Sequence, residues 1–84
     1  MNQKTIDDIN QEREAQDKEW GGPDHDKYHT GWHWNAILTT RLGQFARSLW
    51  HGDEQVYRQR LVQIAAVAVA AIEAYDRVPK QEDY

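Results

Sequence analysis

Between Ile64 and Ile72 the chain reads IAAVAVAAI, nine residues without a polar side chain, and no other feature narrows its fold as much. As a helix this stretch is apolar on every side, so the helix that carries it belongs at the centre of its fold and not on a surface. Around it Tyr57, Leu61, Ile64, Ala68, Ala71 and Tyr75 recur at alternating steps of four and three, a contact stripe within a helix predicted over residues 53–78. Its alanines permit close backbone approach. A neighbouring helix is therefore expected on one side and a symmetry mate on another, giving a homodimer or homotetramer built on this third helix.

The preceding segment carries Ile37, Leu38, Leu42, Phe45 and Leu49 at the spacing of one buried helical face, which predicts a second helix over residues 34–51. His51 and Gly52 stop it and Asp53 stands ready to cap the next. So short a connection makes the second and third helices antiparallel neighbours, packed as a hairpin. Upstream, Thr5 is a candidate cap for a first helix over residues 5–20, with Asp7 and Asp8 near the positive end of its dipole. Its stripe, Ile6, Ile9, Arg13, Gln16 and Trp20, is thin, so it is expected to lie on the surface, pinned by the isoleucines and the tryptophan. Gly21, Gly22 and Pro23 end it. The expected fold is all-α, a single domain of three helices with a central antiparallel hairpin, a loop over residues 21–33 and a short tail after Val78-Pro79.

At 84 residues the chain buries only about 60–65% of the surface its unfolded form exposes, which is a second reason to expect a partner surface. With no cysteine it has neither a disulfide framework nor a thiolate site. The start, MNQKTIDDIN, lacks the apolar core of a signal peptide, and the run Ile64–Ile72 is far short of a membrane span. These point to a soluble cytoplasmic protein, with no membrane partner. A net charge of −4 argues against nucleic acid as the main partner, although Arg41, Arg47, Arg58 and Arg60 gather in or near the two central helices.

Chemistry is concentrated in the loop GPDHDKYHTGWHW, residues 22–34. His25, Asp26 and His29, with Asp24 and His33 beside them, are of the types that bind zinc or another borderline metal through imidazole and carboxylate. The same residues also suit capping of the second helix and hydrogen bonding to loop backbone, with the tryptophans covering the open end of the hairpin. A third reading makes Tyr28, Trp32, Trp34 and Trp50 exposed aromatic anchors for a protein partner. No nucleophile constellation is present: Ser48 is the only serine, without a His and Asp set around it, and no glycine-rich phosphate loop occurs. Glu73 and Asp76, one turn apart, are either a displaced metal site or a solvated helix end.

Two segments carry a family resemblance. WNAILTTRLGQFARSL (Trp34–Leu49) and YRQRLVQIAAVAVAAIEAYDR (Tyr57–Arg77) resemble the two central helices of the MazG-like, all-α nucleoside triphosphate pyrophosphohydrolases, and Gly43 sits where that family places a glycine inside its first motif. INQEREAQDKEWG also looks like the opening of small phage and prophage members, so the similarity spans roughly residues 6–77. In the family, Glu-Glu-x-x-Glu on the first of these helices and Glu-x-x-Asp on the second hold the Mg²⁺ that bridges the triphosphate. Here the corresponding positions are Thr40, Arg41, Gln44, Arg60 and Gln63. A hard cation needs oxygen ligands, and two of the five are cationic. What the resemblance implies is therefore the scaffold without the engine: no catalytic residue and no expected cofactor. Arg41 and Arg60, with Gln44 and Gln63, either meet phosphate oxygens directly and hold a nucleotide without metal, or reach solvent and pair with nearby acids. The role implied is a phage or prophage accessory factor that binds a host protein or a nucleotide. The alternative is a pyrophosphohydrolase whose Mg²⁺ ligands have moved elsewhere.

Overall fold

The computed structural model describes residues 1–22 and 29–77. These residues are all-helical and contain no strand: α1 spans Gln3–Trp20, α2 Gly31–His51 and α3 Glu54–Arg77. Each boundary has a local cause. Asn2 caps α1 by accepting from the Thr5 N–H at 2.8 Å, so the helix starts two residues before the predicted Thr5, whose own backbone is the donor. Gly21 ends it in the left-handed conformation at φ 101°. α2 starts three residues before the expected Trp34 because Thr30 and His33 form a reciprocal capping box. Gly52, at φ 70°, closes α2, and Asp53 caps α3 by accepting from the Val56 N–H at 3.2 Å.

α3 is the middle of the assembly. α1 and α2 each pack against it and not against each other. Among the described residues the buried apolar side chains are all small and all on α3: Ala66, Val67, Ala70 and Ala74. They fall at spacings of one, three and four, which is the side of α3 that looks into the angle between its two neighbours. Among the described residues no large side chain is completely buried. Leu42 and Leu49, expected in the core on their spacing, are 57% and 55% exposed, while Ile37, Leu38 and Phe45 are half-buried. The reason is geometric. Among the described elements α2 meets a single neighbour, and one antiparallel helix covers less than the whole width of a stripe that includes both edges.

α1 docks differently from the expectation. Its isoleucines Ile6 and Ile9 are half-buried and Trp20 stays 54% exposed. Polar residues make the specific contacts. Gln16 is buried, and its amide donates to the Gln63 carbonyl at 3.4 Å and to Glu12 at 3.1 Å. The Arg13 guanidinium spans Asp17 at 3.2 Å and Glu73 of α3 at 2.6 Å. Arg58 of α3 reaches the Asp8 carboxylate at 2.8 Å, where Lys4 also binds at 2.9 Å. The Lys4 ammonium first, and then the Arg58 guanidinium, hold the Asp8 carboxyl below its ordinary value. No helix is long and apolar enough among the described residues to cross a membrane.

Candidate functional site

The positions that in the MazG-like pattern would carry carboxylates are occupied here by groups that satisfy one another within their own helix. On α2 the Arg41 guanidinium donates to the Gln44 amide oxygen at 3.2 Å, and on α3 Arg60 does the same to Gln63 at 3.0 Å. Both are i, i+3 pairs, the natural reach of neighbouring turns. Thr40 is exposed and its hydroxyl donates back to the Ala36 carbonyl at 2.9 Å. Of the four long side chains, the structure brings Gln44 and Arg60 to a common opening. Arg41 and Gln63 lie outside it.

That opening is a cleft of about 400 Å³ where the end of α2 meets the start of α3. Gln44, Arg47, Ser48 and His51 face it from α2, and Asp53, Val56 and Arg60 from the turn and α3. The antiparallel hairpin makes this set inevitable once its loop is two residues long, since successive turns before the loop must face successive turns after it. Two guanidinium groups and one carboxylate leave the cleft cationic, and the Asp53 carboxylate is already engaged as the cap of α3. The Ser48 hydroxyl is committed too, donating to the Phe45 carbonyl at 2.6 Å. Arg60 holds a further donor in reserve: its Nε–H is buried without a hydrogen-bond partner, a state that costs about 1–3 kcal/mol. From the sequence Arg47 was marked only as one of four arginines in or near the central helices, and His51 only as a helix stop. The signal was there in their spacing from Gln44, three and seven residues on, along the same side of α2.

A second, smaller recess of about 270 Å³ lies between α1 and α3, lined by Asp8, Glu12, Arg58 and three glutamines. Its arginine is already paired with Asp8.

The aromatic and histidine-rich segment divides. His25, Asp26 and Tyr28 lie outside the described residues. His29 packs its ring on those of His33 and Trp34, at centroid distances of 5.3 and 4.8 Å. The His33 Nδ1 accepts from the Thr30 N–H at 3.0 Å as part of the cap of α2, which occupies that lone pair. Trp34 is half-buried. Trp32 and Trp50 are 82% and 90% exposed but stand at opposite ends of α2, about 27 Å apart at 1.5 Å per residue. Trp32 and Trp50 therefore do not form one patch. Among the described residues no three His, Asp or Glu side chains are grouped so as to hold a metal ion, and Glu73, one member of the alternative carboxylate pair, is engaged by Arg13.

Compared with protein-family models, with curated proteins and with solved structures, the chain finds no match.

Proposed function

We propose that this chain is a non-catalytic helical binding protein of the MazG-like type, and that it takes a phosphate-bearing ligand, a nucleotide in the simplest case, at the closed end of its hairpin without a metal ion. The observation that carries this reading is the cleft itself. Arg47 and Arg60, with the Gln44 amide and the His51 ring, converge on about 400 Å³ in which the single carboxylate is spent on capping a helix. Guanidinium groups bind phosphate oxygens through paired N–H donors, and they supply in place what Mg²⁺ supplies when carboxylates hold it. Both arginine–glutamine pairs are neutral on the acceptor side, so each arginine keeps its full positive charge. In this reading the protein is an accessory factor of phage or prophage origin that works in the bacterial cytoplasm by sequestering its ligand.

A second reading, docking of a host protein, draws on Trp32, whose 82% exposure at the first turn of α2 is the kind of aromatic anchor that protein interfaces bury. The pyrophosphohydrolase alternative draws on Glu54, Glu73 and Asp76, and needs several of them to converge on one cation.

Calorimetric titration of the metal-stripped protein with nucleoside triphosphates, with and without Mg²⁺, tests the proposal when the same samples are assayed for pyrophosphate release. Binding that survives a chelator and weakens at least about tenfold in Arg60→Ala and in Arg47→Ala is expected. Metal-dependent release of pyrophosphate would replace this reading with the enzymatic one. Absence of heat for any triphosphate would leave the Trp32 surface as the place to look.

A further inference from the structure

The same pattern, Arg-Leu-x-Gln, occurs once on each arm of the hairpin: RLGQ over Arg41–Gln44 and RLVQ over Arg60–Gln63. In both, the arginine donates to the amide oxygen of the glutamine three residues on, at 3.2 and 3.0 Å. The arms run in opposite directions, so the two patterns are reversed relative to each other. Gln44 and Arg60 each stand eight residues from Gly52, and Arg41 and Gln63 each eleven. The contact of the Phe45 and Tyr57 rings, 5.0 Å apart, holds the helices near this register. One glutamine and one arginine therefore line the cleft, while the other arginine and glutamine lie a turn further from the loop and outside it.

We infer that the outer two, Arg41 and Gln63, are positioning residues that set which atoms the inner two offer to a ligand, and that they make the cleft selective for a group bearing acceptors only, a fully ionised oxyanion. This rests on the reading of the cleft as a phosphate site and supplies its specificity. A guanidinium has N–H donors and no acceptor, so the Gln44 atom that faces Arg41 must be the amide oxygen. With that oxygen turned to a residue outside the cleft, the amide nitrogen of Gln44 is the limb left for the cleft, and it only donates. A glutamine free to turn over would present its oxygen as readily, and an amide oxygen repels a phosphate.

Gln63 does the converse for Arg60. It accepts from Nη1, which leaves Nη2 and the adjoining Nε–H as the edge that closes on two oxygens of one anion. The Nε–H on this edge is the buried donor without a partner. Because the Gln63 acceptor is neutral, it holds the guanidinium in place without cancelling its charge, which a carboxylate at the same position would do. The other oxygens of the cleft are already engaged, Ser48 with the Phe45 carbonyl and Asp53 with the Val56 N–H. An amine or carboxamide ligand would set donors against the donors of Gln44 and Arg60; an oxyanion meets both.

Sulfate is the probe, being tetrahedral, doubly charged and free of any proton at neutral pH. An NMR titration of the full chain reads its dissociation constant and the Gln44 side-chain N–H resonances together, and those resonances are expected to move. Arg41→Met is expected to weaken binding at least about fivefold with the helical circular dichroism unchanged. In a chain that already carries Gln44→Met it should weaken binding no further, the mark of a residue that acts through its neighbour. Arg41→Lys, again a donor without an acceptor, should stay within about twofold of wild type. Gln63→Met alters no charge and is expected to weaken binding by about the same factor as Arg41→Met. Retention of the full Arg41→Met loss in the Gln44→Met chain overturns the inference and leaves the phosphate reading standing, and so does the absence of loss in either Arg41→Met or Gln63→Met. A wild-type chain that binds neither sulfate nor inorganic pyrophosphate overturns the phosphate reading itself, and the inference with it.

Discussion

The two seams that α3 makes with its neighbours are built from opposite materials. Against α1 the specific contacts are the ion pairs of Arg58 with Asp8 and Arg13 with Glu73 and the Gln16 amide on the Gln63 carbonyl, beside the half-buried Ile6 and Ile9. Against α2 the contact is apolar, with the Phe45 and Tyr57 rings 5.0 Å apart and tilted by 57°, beside a line of alanine and valine. The connections differ as well. α2 and α3 are joined by two residues, Gly52 and Asp53, whereas α1 reaches α3 only through α2 and the segment before it. The hairpin is thus the cohesive unit, held by burial and by a short tether. α1 is a strap tied to it by electrostatics, and it should come away first and respond to salt and pH, which the hairpin should ignore.

The largest effect is expected from the apolar seam. Phe45→Ala removes a half-buried ring and its partner contact with Tyr57. Complete burial makes such a change worth about 3–5 kcal/mol, so about 2 kcal/mol is expected for this ring. Thermal unfolding followed at 222 nm should show a fall in midpoint of roughly 10 °C at any salt concentration, by the usual slope for a domain of this length. A change within a degree or two would mean that the hairpin is not held by this contact, and the contrast between the seams would fail at its stronger end.

How far the sequence could be read follows the same division. The central position of α3 was legible because IAAVAVAAI has no polar side to expose, and the hairpin because Gly52 and Asp53 are a stop and a start side by side. Burial within a stripe was not legible. Periodicity marks Leu42, Phe45 and Leu49 as one face, but whether a neighbour covers the whole face depends on how many neighbours there are, and among the described elements α2 has one. The cap of α2 was partly legible: the loop histidines suited capping of this helix, and His33 stands where Glu or Gln more often completes a capping box. The cleft was half legible: Gln44 and Arg60 were marked by the family pattern, whereas Arg47 and His51 acquire a role only once the hairpin register sets them opposite Arg60. Arg13 and Gln16 were counted on the α1 stripe, yet the weight was laid on the isoleucines and Trp20. Polar side chains that dock a helix look the same in sequence as polar side chains that merely solvate it.

The polar seam should yield less and in a different manner. Arg13 is only 14% exposed and bridges Asp17 and Glu73, so Arg13→Ala removes both ion pairs and the packing of the side-chain stem. The Glu73 end is half in water, which keeps the expected loss to about 1 kcal/mol at low salt. Raising the salt to about 1 M shortens the screening length to about 3 Å. The gap between wild type and variant should then close to the packing contribution alone. An unchanged gap would make Arg13 a hydrophobic strut and would erase the difference between the seams.

The smallest effect is the most selective. Asp8 receives Lys4 and Arg58 on the same carboxylate oxygen, at 2.9 and 2.8 Å, and together they depress its pKa. A carboxyl held below its unfolded value stabilises the fold once the pH is above that unfolded value, near 3.9. The contribution disappears as the pH falls from there through the lower, folded value. Titrating the Asp8 carboxyl by NMR should therefore give a midpoint under the ordinary one, and either Lys4→Ala or Arg58→Ala should raise it, with the larger rise from Lys4→Ala. The two substitutions then part company. Lys4 lies on α1 with Asp8, so its loss leaves the seam to α3 intact. Arg58 belongs to α3, and its loss should also raise amide hydrogen exchange along the first half of α1 without changing exchange in α2. Equal exchange in the two variants would place the docking of α1 in Ile6 and Ile9 after all, and both seams would then be apolar.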